Sequence, residues 1–191
     1  MNKLAIFASG NGSNAENLIT CFKETPDIQV SMIFVNKPDA FVIQRSRALN
    51  VPVVIFNRHD FYHSPKVLEL LSDNQIDYII LAGFLWLVPE SIIKAFPNHI
   101  INIHPGLLPK YGGKGMYGMK VHEAVINNQE IQSGITIHFV NEAFDEGEII
   151  FQATCPVLPG DSPEQLADRI HKLEYKYYPE IIRQVLAGTK K

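Results

Sequence analysis

Cysteine is scarce in this chain: there are two in 191 residues, Cys21 and Cys155, far apart in sequence. That excludes a disulfide framework and offers no zinc-ligand spacing. Long apolar runs are absent as well, none approaching the roughly eighteen residues a membrane span needs. Neither sign of charge is in excess, with 20 acidic and 17 basic residues giving a net charge of -3. A broad nucleic-acid footprint is therefore not expected, although a few local groups can still hold one anionic small molecule. Met1-Asn2-Lys3 leads into an apolar strand without a signal-peptide profile. Repeats, linkers and low-complexity tracts are also missing. The expectation is one soluble, cytoplasmic domain over 1–191, with no membrane and no nucleic-acid partner. At 46% apolar and 19% charged, the chain can bury a sizeable core and is not a disordered one.

The most informative stretch is Ile100-Ile101-Asn102-Ile103-His104-Pro105. Its β-branched residues suit a strand, and side chains two apart share a face, so Asn102 and His104 point the same way. Pro105 ends the pairing. An amide and an imidazole thus stand side by side at the carboxyl end of a strand, where open α/β sheets bind ligands. Such a pair can steady an oxyanion and handle a proton; a satisfied core Asn and a loop His is the other reading.

Taken in order, Leu4 to Ala8 is a strand, followed by Ser9-Gly-Asn-Gly-Ser-Asn14 and a helix with Ala15, Leu18, Ile19 and Phe22 on one face. A strand, glycine turn and helix N-terminus make an anion site, with Ser13 and Asn14 as helix caps the alternative. The second strand, Val30 to Val35, ends in Asn36, where a nicotinamide binder presents an acid. After a third strand, Val51 to Phe56, Arg58 is either a phosphate ligand or a solvated loop arginine. Asp77 to Ala82 reads as a buried strand, and Leu85-Trp86-Leu87-Val88 beyond it either plug the core or wall a flat ligand. The glycine-rich 111–119 segment predicts no regular element, either a mobile lid or a loose loop. Ile131 to Val140 alternates in polarity, with His138 a core-edge histidine of no chemical role. An acidic loop, 141–148, and a strand from Ile149 to Leu158 imply an antiparallel pair. Ser162 and Gln165 form a capping box for the last helix, whose stripe is Leu166, Ile170, Leu173 and Tyr177. Glu174 falls on that stripe, either in a rim ion pair or on a ligand. The class is α/β: a Rossmann-like, mixed, mostly parallel sheet with helices on both faces.

Ser9-Gly-Asn-Gly-Ser-Asn14, Leu81-Ala-Gly-Phe84, Asn102-Ile-His-Pro105, Leu107-Leu-Pro-Lys-Tyr111 and Asp145-Glu-Gly147 occur in that order. In this combination the chain resembles the phosphoribosylglycinamide formyltransferase family along essentially its whole length. The resemblance implies the formyltransferase fold and transfer of a formyl group from 10-formyltetrahydrofolate to glycinamide ribonucleotide in purine biosynthesis. It implies a catalytic trio of Asn102, His104 and Asp145, acting without a metal or a covalent nucleophile. The ribonucleotide is implied at Gly12, Ser13, Asn14, Arg58 and Glu174. The folate is implied along Leu85, Trp86, Leu87 and Val88 and at Asn102, with the 139–145 segment, including Val140, Asn141 and Phe144, closing over its pterin. Lys110 begins a loop near both substrates. In solution a monomer or homodimer is expected. Trp86 departs from the arginine common in that family, and the 112–119 segment is richer in glycine. Related formyltetrahydrofolate users, a nucleotide-binding module without chemistry and a dehydrogenase are the competing readings.

Overall fold

The computed structural model describes residues 1–188, which divide into two compact units, Met1–Ile101 and Asn102 onward. The strand order is β3-β2-β1-β4-β5-β6-β7, a seven-stranded, mostly parallel sheet interleaved with helices.

In the first unit, β1 (Asn2–Ala8) pairs in parallel with β2 (Ile28–Val35) on one side and with β4 (Tyr78–Leu81) on the other. Leu4 to Ala8 are completely buried or nearly so, as a strand covered on both faces must be. Phe7 and Phe34 stack at 4.7 Å, seeding an aromatic core that takes in Phe56, Phe61 and Phe84. Helix α1 (Ser13–Phe22) buries Ala15, Leu18, Ile19 and Phe22, the face its spacing predicts. Between α2 (Val42–Ala48) and α4 (Lys66–Asp73) lie β3 (Val53–Ile55) and a short helix, α3 (Arg58–Tyr62). Arg58, one of whose expected settings is a loop, opens this helix. Asn57 caps a turn and a half of helix, its side-chain oxygen accepting from the Asp60 amide at 2.9 Å. Helix α5 (Glu90–Ala95) leads into β5 (Ile100–His104), which opens the second unit at Asn102.

In the second unit, α6 (Met119–Asn127) precedes β6 (Gln132–Phe139) and β7 (Ile149–Pro156), the antiparallel pair expected from their short connection. Their register slips between Ile137, opposite Phe151, and His138, opposite Ile149. Such a bulge re-aims the side chains beside it. Helix α7 (Pro163–Gly188) packs on α6, β6 and β7. Its capping box forms as read, with Ser162 N donating to Gln165 Oε1 at 2.9 Å and Gln165 N to Ser162 Oγ at 3.3 Å. Its stripe is rotated from the expected one: Leu166, Ile170, Glu174, Tyr178 and Ile182 are buried, while Leu173 and Tyr177 are half-buried. Glu174 lies on the buried stripe as expected, and Leu173 and Tyr177 flank it.

Candidate active site

The chemistry-bearing residues of the second unit converge at the end of β5. Asn102 and His104 share a strand face, and Asp145 meets both from the 141–148 loop. His104 Nδ1 lies 3.4 Å from Asp145 Oδ2, and Asn102 Nδ2 donates to Asp145 Oδ1 at 3.4 Å. The three residues of the expected trio are therefore brought together, although more than forty positions separate Asp145 from the strand. Asp145 adopts a left-handed backbone, φ 58°, that Asp tolerates better than most residues. The loop that carries it is pinned by Asn141 Oδ1, which accepts from Ala143 N at 3.0 Å, and by Phe139 N donating to Glu148 O at 2.9 Å. Gly147 is obligatory there, because a Cβ would drive into the Phe139 carbonyl.

Hydrogen-bond accounting fixes the protons. His104 Nε2 is 2.8 Å from the Tyr111 carbonyl oxygen, which only accepts, so Nε2 carries hydrogen. A neutral His104 then presents the Nδ1 lone pair to Asp145. Burial lowers the His104 pKa and outweighs the Asp145 charge and the Tyr111 carbonyl, both of which raise it. Burial would raise Asp145, but His138, the His104 charge and the Gly113 amide, which donates to Oδ2 at 3.0 Å, together hold it below the ordinary carboxylate range. At neutral pH the pair rests as a carboxylate beside a neutral imidazole whose Nδ1 is free to take a proton.

His138, given no chemical role from the sequence, belongs to this cluster. Its Nδ1 donates to the Phe139 carbonyl at 2.7 Å, leaving Nε2 as an acceptor for Asn102 Nδ2 at 3.0 Å. Nε2 is also 3.6 Å from Asp145 Oδ1, and it favours the carboxylate only when the ring carries a second proton. Two acceptors, His138 and Asp145, thus face the Asn102 amide nitrogen and determine which way round the amide sits. Alternation shows the face of β6 that His138 occupies, and not that Asn102 lies opposite it.

Other expected site residues of the second unit lie nearby in sequence. Val140, Asn141 and Phe144 are half-buried along the loop that presents Asp145. Lys110 is exposed and pairs with Glu130 at 3.0 Å. Glu174, 6% exposed, lies on the α7 stripe one turn from the fully buried Tyr178. Burial, reinforced by the Glu174 charge, pushes the Tyr178 phenol well above its usual value.

In the first unit, Gly12 is the N-cap of α1 in a left-handed conformation, φ 78°, and Ser13 and Asn14 are the first helical residues. Gly12 at the N-cap has no side chain to offer the free amides of this helix end. Helix α2 braces the turn: Val42 N donates to Gly10 O at 3.1 Å, and Arg45 donates to Asn11 O at 3.0 Å and Asn11 Oδ1 at 2.9 Å while pairing with Glu16. Arg58 is exposed, its guanidinium lying 5.4 Å from the Tyr62 ring centre and 5.6 Å from that of Trp86. Cation–π contact uses the charge and leaves N–H groups as donors. Trp86 packs on Phe56, Phe61 and Tyr62, so its inner edge plugs core as the plainer reading held. Leu85, Trp86 and Leu87 remain half-exposed and Val88 is buried. Ser9 Oγ accepts from Leu85 N at 3.0 Å and Tyr62 OH donates to Leu87 O at 2.9 Å, holding the segment at two points.

Residues 2–182 match the formyl transferase family. This chain belongs to that family. It is similar to the chloroplastic phosphoribosylglycinamide formyltransferase of Arabidopsis thaliana, 39% identical over 186 residues that make up 94% of this chain and 64% of the relative. The chain thus spans less than two thirds of that plant protein's length. The phosphoribosylglycinamide formyltransferase of Bacillus subtilis strain 168 is 37% identical over 191 residues, covering 97% of this chain and 95% of the relative. Among solved structures, glycinamide ribonucleotide transformylase 1 from Symbiobacterium toebii superposes with a TM-score of 0.89 at 32% identity, covering 98% of this chain and 89% of that one.

For a formyl transferase family member, the donor set has a clear logic. It offers an amide N–H, a buried imidazole and a carboxylate. Among the described residues, no group of three or more His, Cys, Asp or Glu could hold a metal ion. No described helix is long and apolar enough to cross a membrane. An N–H able to donate to a carbonyl oxygen and a base able to carry a proton suit transfer of a formyl group.

Proposed function

We propose that the protein transfers the formyl group of 10-formyltetrahydrofolate to the amine of N1-(5-phospho-D-ribosyl)glycinamide, a step of de novo purine biosynthesis. The observation that carries this reading is the meeting of Asn102, His104 and Asp145. The names of the family relatives support the choice of substrates.

The folate supplies a formyl carbonyl attached to nitrogen, and the reaction is direct attack by the amine through a tetrahedral intermediate. Asn102 donates to the developing oxyanion. Both protons of its amide nitrogen are engaged at rest, and the longer bond, to Asp145 at 3.4 Å, is the one a substrate oxygen replaces. His138 keeps the nitrogen turned toward that position. The attacking amine must shed a proton as its bond to carbon forms. Asp145 and His104 Nδ1 receive it directly or through water, and the new imidazolium is stabilised by the carboxylate 3.4 Å away. The same proton then passes to the departing folate nitrogen as its bond to carbon breaks, so none is gained or lost overall. Each donor or acid of this kind is typically worth ~10² to 10³ in rate.

The ribonucleotide phosphate is assigned to Gly12, Ser13 and Asn14, where backbone N–H groups open α1, with Arg58 as a further cation. The left-handed Gly12 that opens α1 supports this. Glu174 is assigned to the glycinamide or ribose portion. The folate is assigned to Leu85, Trp86, Leu87 and Val88 together with Asn102, Val140, Asn141 and Phe144. We take residues 1–191 to work as one formyltransferase domain, the family match running through both compact units. The partners are these small molecules, and the protein is a monomer or homodimer. A cytoplasmic location is part of the proposal, to be tested by fractionation because the Arabidopsis relative is named as chloroplastic.

Ribonucleotide-dependent release of tetrahydrofolate tests the assignment. Folate release without the ribonucleotide would point to hydrolysis, and no release with it would remove the proposed acceptor.

A further inference from the structure

His104 can only work through Nδ1 if its other nitrogen is held, and the group that holds it is unusual. The Tyr111 carbonyl accepts from Nε2 at 2.8 Å, and Tyr111 itself is in the left-handed region, φ 58°. A bulky non-glycine residue is disfavoured there and persists only where its surroundings impose it. The phenol shows what imposes it. Tyr111 OH donates to Glu130 Oε1 at 2.8 Å and accepts from Asn128 Nδ2 at 3.0 Å. Both partners belong to the end of α6, which closes in a fixed form. Glu130 N donates to Val125 O, Gln129 N to Ile126 O, and Gln129 has φ 53°. That is the paired 6→1 and 5→2 pattern of a Schellman cap. Lys110 holds the same Glu130 oxygen from the other side at 3.0 Å. The Tyr111 hydrogen bond, with Lys110 adding to it, keeps the Glu130 carboxylate ionised below its usual range.

We infer that Tyr111 and Glu130 are positioning residues for His104: the α6 cap holds Glu130, Glu130 holds the phenol, and the phenol holds the Tyr111 carbonyl on Nε2. A neutral imidazole held this way has one tautomer, with its lone pair on Nδ1 toward Asp145. Without the clamp, Tyr111 relaxes out of the left-handed region, its carbonyl turns away, and the ring is free to rotate or exchange tautomers. This inference rests on the proposed role of His104, so its first readout does not depend on turnover.

The test uses full-length protein labelled with ¹⁵N at histidine, comparing wild type with Tyr111→Phe, Glu130→Ala and Glu130→Gln. Long-range ¹H–¹⁵N spectra of the wild type at alkaline pH should show His104 as the Nε2–H tautomer alone. Tyr111→Phe and Glu130→Ala should give mixed tautomers, and the His104 titration should move to lower pH, since the carbonyl favours the charged ring. Glu130→Gln keeps an oxygen acceptor and should restore the wild-type pattern. In the formyl-transfer assay, the first two variants should lose on the order of ten-fold in kcat with little change in either KM. An unchanged tautomer in Tyr111→Phe and Glu130→Ala would overturn the inference, whatever the rate did. A changed tautomer in a protein that transfers no formyl group would leave the clamp standing and refute the proposed function instead.

Discussion

The turn that opens α1 permits a sharp test because its two flanking glycines differ in kind. Gly12 has φ 78°, and a Cβ built on it meets the Val42 Cα at 2.8 Å and the Val42 side chain closer still. Gly10 has no atom within 4 Å of such a Cβ. In Gly12→Ala the left-handed backbone costs about 1–2 kcal/mol, and overpacking against Val42 a further ~1–3 kcal/mol. Val42 cannot yield freely, because its amide is bonded to Gly10 O and its side chain is fully buried. The sum, roughly 2–5 kcal/mol, corresponds to about 10 °C in Tm for a chain of this size. Gly10→Ala should stay within about 0.5 kcal/mol of wild type. Thermal unfolding of the three proteins gives the first readout. Steady-state kinetics give the second: if the turn seats the phosphate, Gly12→Ala raises the ribonucleotide KM on the order of ten-fold while the folate KM stays put. Equal stability of the two variants would refute the packing argument. A rise in the folate KM alone would refute the phosphate assignment.

Asp145→Asn should fold and lose ~10² to 10³ of kcat, and near-normal turnover would remove Asp145 from the chemistry. His138→Leu takes away the acceptor that orients Asn102 and should lower kcat by at least about ten-fold, whereas His138→Gln, with an oxygen acceptor, should recover most of it; equal rates in the two would contradict the orienting role. His122, 2% exposed, is held down to about 4, chiefly by burial, with the charges of His171 and His104 adding. The unfolded chain therefore takes up that proton first, so the stability His122 contributes is full above about pH 6.5 and falls by up to ~3 kcal/mol toward pH 4. Urea unfolding at pH 7.5 and pH 4.5 should show a smaller acid loss in His122→Leu than in wild type, and an equal loss would contradict this.

What the sequence made legible was local. The Ser162–Gln165 capping box, the buried face of α1 and the shared face of Asn102 and His104 each follow from spacings of two to seven residues. Asp145 could be joined to them only through family resemblance, because its approach depends on the β6–β7 register and on a left-handed turn. His138 meets Asn102 across a distance in sequence that alternation within β6 does not encode. The five residues of α3 are too few to show periodicity, and their one signal is the capping Asn57. Spacing places Glu174 on the α7 stripe, where it is buried, but centres the stripe on Leu173 and Tyr177 because the polarity of a carboxylate draws the apolar face toward its neighbours. Arg45, which braces the Gly10–Asn14 turn, reads in sequence as one more surface charge.

The central claim is that this protein moves a formyl group between a folate and an amine on a phosphorylated ribose. Its most direct test is formyl transfer from 10-formyltetrahydrofolate, followed by absorbance and by isolating the product, with and without glycinamide ribonucleotide. The account predicts one tetrahydrofolate and one formylated ribonucleotide per turnover, and no folate release when the ribonucleotide is left out. Folate release that ignores the ribonucleotide, or no formylated product in its presence, would contradict it.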